Sequence, residues 1–555
     1  MKRFAIGVDF GTLSGRAVLI DIDNGEAIAD SVLEYSHKVM DKKLPCGTPL
    51  GDDWALQHPQ DYLDVLEYTL PDVLKKSGIK KEQVIGLGID FTSCTVLPVD
   101  EKGEPLCFKD NYKNNPHSYV KLWKHHAAQY EAEKINVLAS ERNEKFLKRY
   151  GGKISSEWLI PKIMQVLDED HDLFEKTHRF IEAGDWIVMK LTDTEARSSC
   201  MAGYKAMWHK REGYPSKDFL KALDKRLENL VEDKLNSTIC PIGSKAGEIS
   251  DEGEKLTGLV KGTAVAVANL DAHVSVPATG ITEPGKMLMI MGTSTCHLTL
   301  SKEEILVPGI SGVVEDGIIP NYYAYEAGQA CMGDHFEWFA ENLFPYEYEQ
   351  DAQKKGIKKL RYLEDKASFL KPGESGLIAL DWWNGNRSVL VDADLTGIIL
   401  GCTLQTKAEE IFRALVEATA FGTKMIIDTF KEYGFIIDRL IAAGGIAVKS
   451  PFVMQIYADV LDTEITVSKT PQIPALGSAM FGAVAAGAAC GGYDDITHAA
   501  EKMAGKDVCM YKPVKEHVRI YKDLFSEYKT LHDYFGKGGN NIMKNLKKIK
   551  KACEK

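Results

Sequence analysis

Two stretches of this 555-residue chain combine strand-forming residues with a Gly-Thr turn. The first reads Phe4-Ala-Ile-Gly-Val-Asp9, Phe10-Gly11-Thr12-Leu-Ser-Gly15, Arg16-Ala-Val-Leu-Ile-Asp21. The second reads Met287-Leu-Met-Ile-Met291, Gly292-Thr293-Ser294-Thr295, Cys296-His-Leu-Thr-Leu300. Each is a strand, a turn and a strand, a hairpin whose loop exposes backbone N–H groups and hydroxyls. A phosphate-binding loop needs both: Gly lets the backbone approach oxygen atoms, and small hydroxyl residues donate without filling the space. Asp9, at the end of its strand, adds a carboxylate able to hold a hydrated Mg²⁺ against phosphates. One Gly-Thr turn is ordinary, but the same hairpin near the start of each half points to a duplicated nucleotide-binding unit. No G-x-x-x-x-G-K-[ST] stretch occurs, which disfavours a P-loop NTPase.

Asp271 follows the apolar run Thr263-Ala-Val-Ala-Val-Ala268. A carboxylate at the carboxyl end of a strand in an open α/β sheet sits where ligands bind and can take a proton from an attacking hydroxyl. The competing reading, a helix N-cap before Ala-His-Val-Ser-Val, is the one the neighbouring residues alone favour. Leu440-Ile-Ala-Ala-Gly444-Gly445 runs an apolar strand into a double Gly, bare backbone against which an adenosine can lie. The Ala- and Gly-rich stretch 473–493 is too weakly hydrophobic for a membrane span and reads as a closely packed helix.

Positioning these residues requires α/β architecture. Apolar runs of strand length at 4–9, 16–21, 84–90, 94–99, 263–268, 287–292, 296–300 and 439–443 alternate with amphipathic helical windows. The strongest helix covers 407–432, with Thr406 and Glu409 as an expected capping box and Gly434 as the stop. The turn-rich segment Gly280–Gly285 is the one marker of a boundary, giving domains 1–281 and 282–535 and a basic tail, 536–555.

The charge balance, 68 Lys+Arg against 80 Asp+Glu, has the wrong sign for a nucleic-acid or anionic-membrane binder. The tail reverses it locally, with seven Lys and one Glu, and reads as a frayed terminus. Eleven Cys with no C-x-x-C spacing read as reduced thiols, and the N-terminus shows no secretory h-region, so a cytoplasmic protein is expected. No zinc-like ligand set accompanies His125, His126 and His273.

Together these pieces resemble the FGGY family of carbohydrate kinases, within the actin, Hsp70 and hexokinase superfamily, over nearly the whole chain. The fold implied is a pair of ribonuclease H-like (actin-like ATPase) α/β domains of duplicated core flanking a catalytic cleft. Asp9-x-Gly11-Thr12 resembles the first phosphate motif, Gly292-Thr293-Ser294 the second, and Gly444-Gly445 with Ala475-Leu-Gly-Ser-Ala the adenosine region. By the same match Asp271 is the catalytic base. Six further segments resemble the family's ketopentose kinases: Asp90–Thr95, Tyr150–Trp158, Ala202–His209, Asp271–His273, Glu326–Gln329 and Leu380–Arg387. The W-x-D-x-R sugar motif of many members is replaced by Trp123-Lys124-His125-His126, which argues against a glycerol or xylulose kinase.

The resemblance implicates Ser93, Lys205, Asp271 and Glu326 in holding the sugar. A Lys donor with carboxylate acceptors suits a ketopentose. On its neighbours alone, however, Lys205 also fits a snorkelling surface side chain. The implied partners are ATP, Mg²⁺ and a small sugar, with neither nucleic acid nor membrane, and a homodimer is the assembly allowed. A kinase of another ketopentose or a polyol, and a non-catalytic nucleotide-dependent binder, remain as alternatives.

Overall fold

The computed structural model describes residues 2–553. The first large sheet contains β1 (Phe4–Phe10), β2 (Ser14–Asp21), β3 (Ala27–Glu34), β4 (Val84–Phe91), β5 (Lys245–Glu248), β6 (Ala264–Ala266) and β7 (Asn269–Leu270). Its order is β5-β6-β4-β1-β2-β3, with β7 also on β4. The second contains β8 (Gly285–Met291), β9 (Thr295–Ser301), β10 (Gly312–Glu315), β11 (Tyr323–Gln329), β12 (Ile437–Ala443), β13 (Ile465–Ser468) and β14 (Val508–Tyr511), in the order β10-β11-β9-β8-β12-β13-β14.

The two sheets repeat one plan. β1 pairs antiparallel with β2 and parallel with β4, and β8 pairs antiparallel with β9 and parallel with β12. Outward from these, β3 and β11 are antiparallel, β6 and β13 parallel, and β5 and β14 antiparallel again. The repeat therefore extends well beyond the two Gly-Thr hairpins that disclose it in sequence. Residues 94–235 add a separate apolar cluster beside the first sheet.

Packing runs across the turn-rich segment 280–285. Helix α5 (Ile473–Ala486), downstream of the second sheet's β13, lies across β1 and β4 of the first. Its fit explains the small residues on both sides: a Cβ on Gly7 would sit 1.8 Å from the Ala475 carbonyl oxygen, and one on Gly88 1.8 Å from that of Ser478. Helix α6 (Ile496–Met503) joins the same core, and the Tyr493 hydroxyl reaches the Ile22 carbonyl at 2.5 Å. The expected close-packed small-residue helix is thus present. Gly88→Ala forces α5 off the sheet and is expected to lower stability by about 1–3 kcal/mol or more. A urea midpoint equal to that of the unsubstituted chain would contradict this packing.

Two details differ from expectation. Helix α4 (Ala408–Glu432) is capped one residue later than Thr406/Glu409: the Glu410 carboxylate accepts from the Lys407 N–H at 2.6 Å, while Thr406 Oγ1 accepts from Thr403 N. T-x-x-E and K-x-x-E overlap here, and the loop claims the threonine. The basic tail is not frayed but forms helix α7 (Ile542–Cys553). Met543 is buried, Lys544 pairs with Asp392 at 2.5 Å, and Lys547 Nζ donates to the Ala393 carbonyl at 2.7 Å. Apolar residues every three or four positions were the signal, outweighed by the run of lysines.

Candidate active site

The carboxyl ends of β1, β4 and β7 form the floor of the site. Arg16, Asp9, Asp90 and Asn269 are successive register partners across β2, β1, β4 and β7. Arg16 Nε lies 3.4 Å from Asp9 Oδ2. Burial pushes the Asp9 carboxyl above its usual range against the pull of Arg16, and burial together with the neighbouring Asp9 pushes Asp90 well above.

Helix α3 (Asp271–Ala278) starts where β7 ends, so Asp271 stands beside this row. It is the first helical residue rather than the cap, and its Oδ1 accepts only a short contact from the adjacent Ala272 N–H at 2.6 Å. The N-cap alternative is thereby removed. Burial, with Asp9 adding to it, pushes the Asp271 carboxyl up to about 7. A carboxyl near neutrality at a cleft floor is suited to accepting a proton.

Facing Asp271 is a buried charge cluster drawn from both halves. Lys205, the last residue of helix α2 (Ser199–Lys205), donates to Glu326 Oε1 at 3.1 Å, and His273 Nε2 stands 3.3 Å from Glu326 Oε2. Lys205 is 7% and Glu326 8% exposed, so Lys205 does not snorkel. Burial alone would raise Glu326, but the charge of Lys205 and the contact with His273 outweigh it and hold the carboxyl well below its usual range. Burial pushes the His273 imidazole down. The second strand of the second hairpin, β9, pairs with β11 so that Leu298 stands opposite Glu326, which places that hairpin on the strand next to the cluster. Ser93 lies in the loop after β4, its Oγ buried with no protein partner.

The second hairpin and the double Gly lie side by side. β8 and β12 are adjacent and parallel, with Ile290 opposite Ala443, which sets Gly292-Thr293-Ser294 beside Gly444-Gly445. Gly444 has φ 97° and a Cβ there would meet the Met291 carbonyl oxygen at 2.5 Å, whereas Gly445 faces open space. Thr293 is exposed at the hairpin tip, and its carbonyl accepts from Met332 N at 2.9 Å. In the first hairpin Gly11 N bonds Ser14 O at 3.0 Å, and the Thr12 hydroxyl accepts from Trp123 Nε1 at 3.1 Å.

Several residues that position the site carry no motif. Lys162, fully buried, donates to the carbonyls of Cys94 (2.6 Å) and Leu122 (2.9 Å), clamping the Ser93 loop to the Trp123 segment. Gln329 and Asp381, from two of the resembling segments, bond each other at 2.9 Å beneath β11, with Tyr528 on Asp381 at 2.8 Å. Among the described residues no group of three or more His, Cys, Asp or Glu stands close enough to hold a metal ion. A groove of about 750 Å³ lined by Lys302, Tyr322, Asp495 and His498 lies away from these carboxylates.

Residues 4–276 match the N-terminal domain of the FGGY family of carbohydrate kinases and residues 287–486 its C-terminal domain. The chain belongs to this family. The kinase is 58% identical over 539 residues to a ribulokinase of Bacillus licheniformis, covering 97% of this chain and 98% of that one. It is 56% identical to a ribulokinase of Halalkalibacterium halodurans (99% and 98% covered) and 43% to one of Mycolicibacterium smegmatis (100% and 97%). Its fold is that of a xylulose kinase from Lactobacillus acidophilus, with a TM-score of 0.78 at 18% identity and 96% and 98% of the two chains covered. The kinase is therefore a carbohydrate-phosphorylating enzyme of actin-like ATPase fold, with ATP as the family's phosphate donor. Among its described residues no helix is long and apolar enough to cross a membrane.

Proposed function

We propose that the kinase phosphorylates ribulose, preferentially L-ribulose, at its 5-hydroxyl to give ribulose 5-phosphate, a step in the catabolism of pentoses such as arabinose. The observation that carries this reading is a single one: relatives called ribulokinases match the chain end to end at 55–58% identity. The buried Lys205–Glu326 pair facing Asp271 supports it, because a ketopentose offers a carbonyl and several hydroxyls for charge-assisted hydrogen bonds.

In this reading Lys205, Glu326 and Ser93 orient the sugar, and Asp271 accepts the proton of the 5-hydroxyl. The oxygen forms a bond to the γ-phosphorus as the bond to the β–γ bridging oxygen breaks, and ADP leaves. Backbone N–H groups around Gly11-Thr12 and Gly292-Thr293-Ser294 face the phosphates, and Gly444-Gly445 the adenosine. The residues also fit a divalent cation: Asp9 would carry it, beside an Asp90 oxygen that has no protein donor. Mg²⁺ there supplies charge neutralisation for the transferring phosphoryl group. Domains 1–281 and 282–535 are proposed as sugar and nucleotide halves, with α5 and α6 of the second completing the core of the first.

Asp271 must be ionised to act, so kcat/KM for the sugar is expected to fall with unit slope on the acid side, with an apparent pKa of about 7 or lower once a cation sits at Asp9. A rate flat from pH 5 to 8 would contradict the assignment. The regiochemistry is tested by phosphorus–proton correlation NMR of the product formed from ATP and L-ribulose. A phosphate coupled to the two C5 protons is expected, and coupling to the C1 protons would overturn the proposed 5-hydroxyl.

A further inference from the structure

Arg16, Asp9, Asp90 and Asn269 are successive register partners on four adjacent strands, so their side chains project from one face of the sheet. Helix α5 covers that face, and its Ser478 hydroxyl donates to Asp90 Oδ2 at 2.5 Å. The other oxygen of Asp90 is buried with no protein donor, the carboxyl standing close enough to Asp9 for the two to share a proton when no cation is bound, and both amide atoms of Asn269 are buried without a protein partner. Asp90 and Asn269 are 0% and 1% exposed. Each buried polar atom left unpaired costs roughly 1–3 kcal/mol, and folded proteins retain such atoms where water or a ligand completes them. The occupant has to donate to Asp90 Oδ1 and Asn269 Oδ1 and accept from Asn269 Nδ2. A bare cation cannot accept a hydrogen bond, whereas water does both. Two carboxylates on neighbouring strands, with Arg16 on one side only, also call for further positive charge.

We propose that Asp90 and Asn269 are positioning residues that hold the water shell of the divalent cation carried by Asp9. This rests on the reading of Asp9 as the metal carboxylate. Mg²⁺ takes one or two carboxylates directly and keeps several waters, which fits the lack of a three-ligand cage among the described residues. Ser478 fixes one Asp90 oxygen and thereby aims the other. This hydroxyl comes from helix α5, downstream of β12 and β13 in the chain, so the nucleotide half contributes directly to the cation's surroundings.

The test is Mn²⁺ affinity, followed by EPR of the free ion, in the full-length kinase with a non-hydrolysable ATP analogue bound. Asp90→Asn and Asn269→Ala are each expected to weaken Mn²⁺ binding about 10- to 100-fold, while L-ribulose affinity, read by tryptophan fluorescence without metal, stays unchanged. Asn269→Ala is decisive, because it removes a water contact without changing charge and serves alone if Asp90→Asn does not fold. A variant that keeps sugar affinity and also binds Mn²⁺ as the unsubstituted kinase does would overturn the proposal. Asp9→Asn separates the two levels. If it loses Mn²⁺ while Asp90→Asn and Asn269→Ala do not, only the water-shell role fails. If Asp9→Asn also binds Mn²⁺ normally, the metal reading itself fails.

Discussion

Asp271→Asn is expected to lower kcat by about 100- to 10,000-fold, the usual contribution of a positioned general base, with nucleotide affinity by calorimetry unchanged. It is also expected to raise the melting temperature at pH 8. The sign follows from the carboxyl's position in the fold. Burial and Asp9 push Asp271 up to about 7, above its value in an unfolded chain, so its ionised form is less favourable in the folded state than in the unfolded one. Stability is therefore lost as pH rises through the folded value, and a neutral amide of the same shape removes that loss. An inactive yet more stable variant is the signature of a strained functional group. A variant retaining most of its kcat would remove Asp271 as the base, and one both inactive and unstable would assign it a structural role.

Lys205→Met is expected to raise the sugar KM sharply and to destabilise the fold. Removing one partner of a buried ion pair leaves the other charge uncompensated, at about 3–5 kcal/mol. Glu326 is 8% exposed and would keep only the His273 contact. The double variant Lys205→Met/Glu326→Leu separates the two roles. It restores an uncharged, packed site and is expected to regain stability in urea unfolding, yet to remain 10- to 100-fold or more below the unsubstituted kinase in kcat/KM, since charged hydrogen bonds contribute about 1.5–3 kcal/mol each. Recovery of both stability and kcat/KM would mean that the pair serves only the fold.

The sequence carried the fold's repeated element because hairpins are local: strand, Gly-Thr turn and strand fall within about twenty residues, and both are where their pattern puts them. It also carried α5 as a close-packed helix, though not the surface it packs on, because the partner glycines Gly7 and Gly88 lie almost four hundred residues or more away in sequence. The charge cluster was legible only through resemblance. On its neighbours alone Lys205 passes for a surface side chain, and its ion pair joins residues 121 apart. Lys162 and Asn269 had no signature, and Gln329 and Asp381 stood out only as parts of two resembling segments, since their contacts are with segments that meet only in the folded molecule. The basic tail misled because lysine-rich composition obscured a helical period that tertiary contacts with Asp392 and Ala393 stabilise.

Sugar-dependent ADP release, followed in a coupled assay with saturating ATP and Mg²⁺ across the 2-ketopentoses and their polyols, tests the central claim most directly. Release that rises to saturation with L-ribulose, is weaker with D-ribulose and ribitol, and stays at the sugar-free background with glycerol and D-xylulose is the expected result. Release that is the same with and without L-ribulose, or greater with glycerol or D-xylulose, would contradict it.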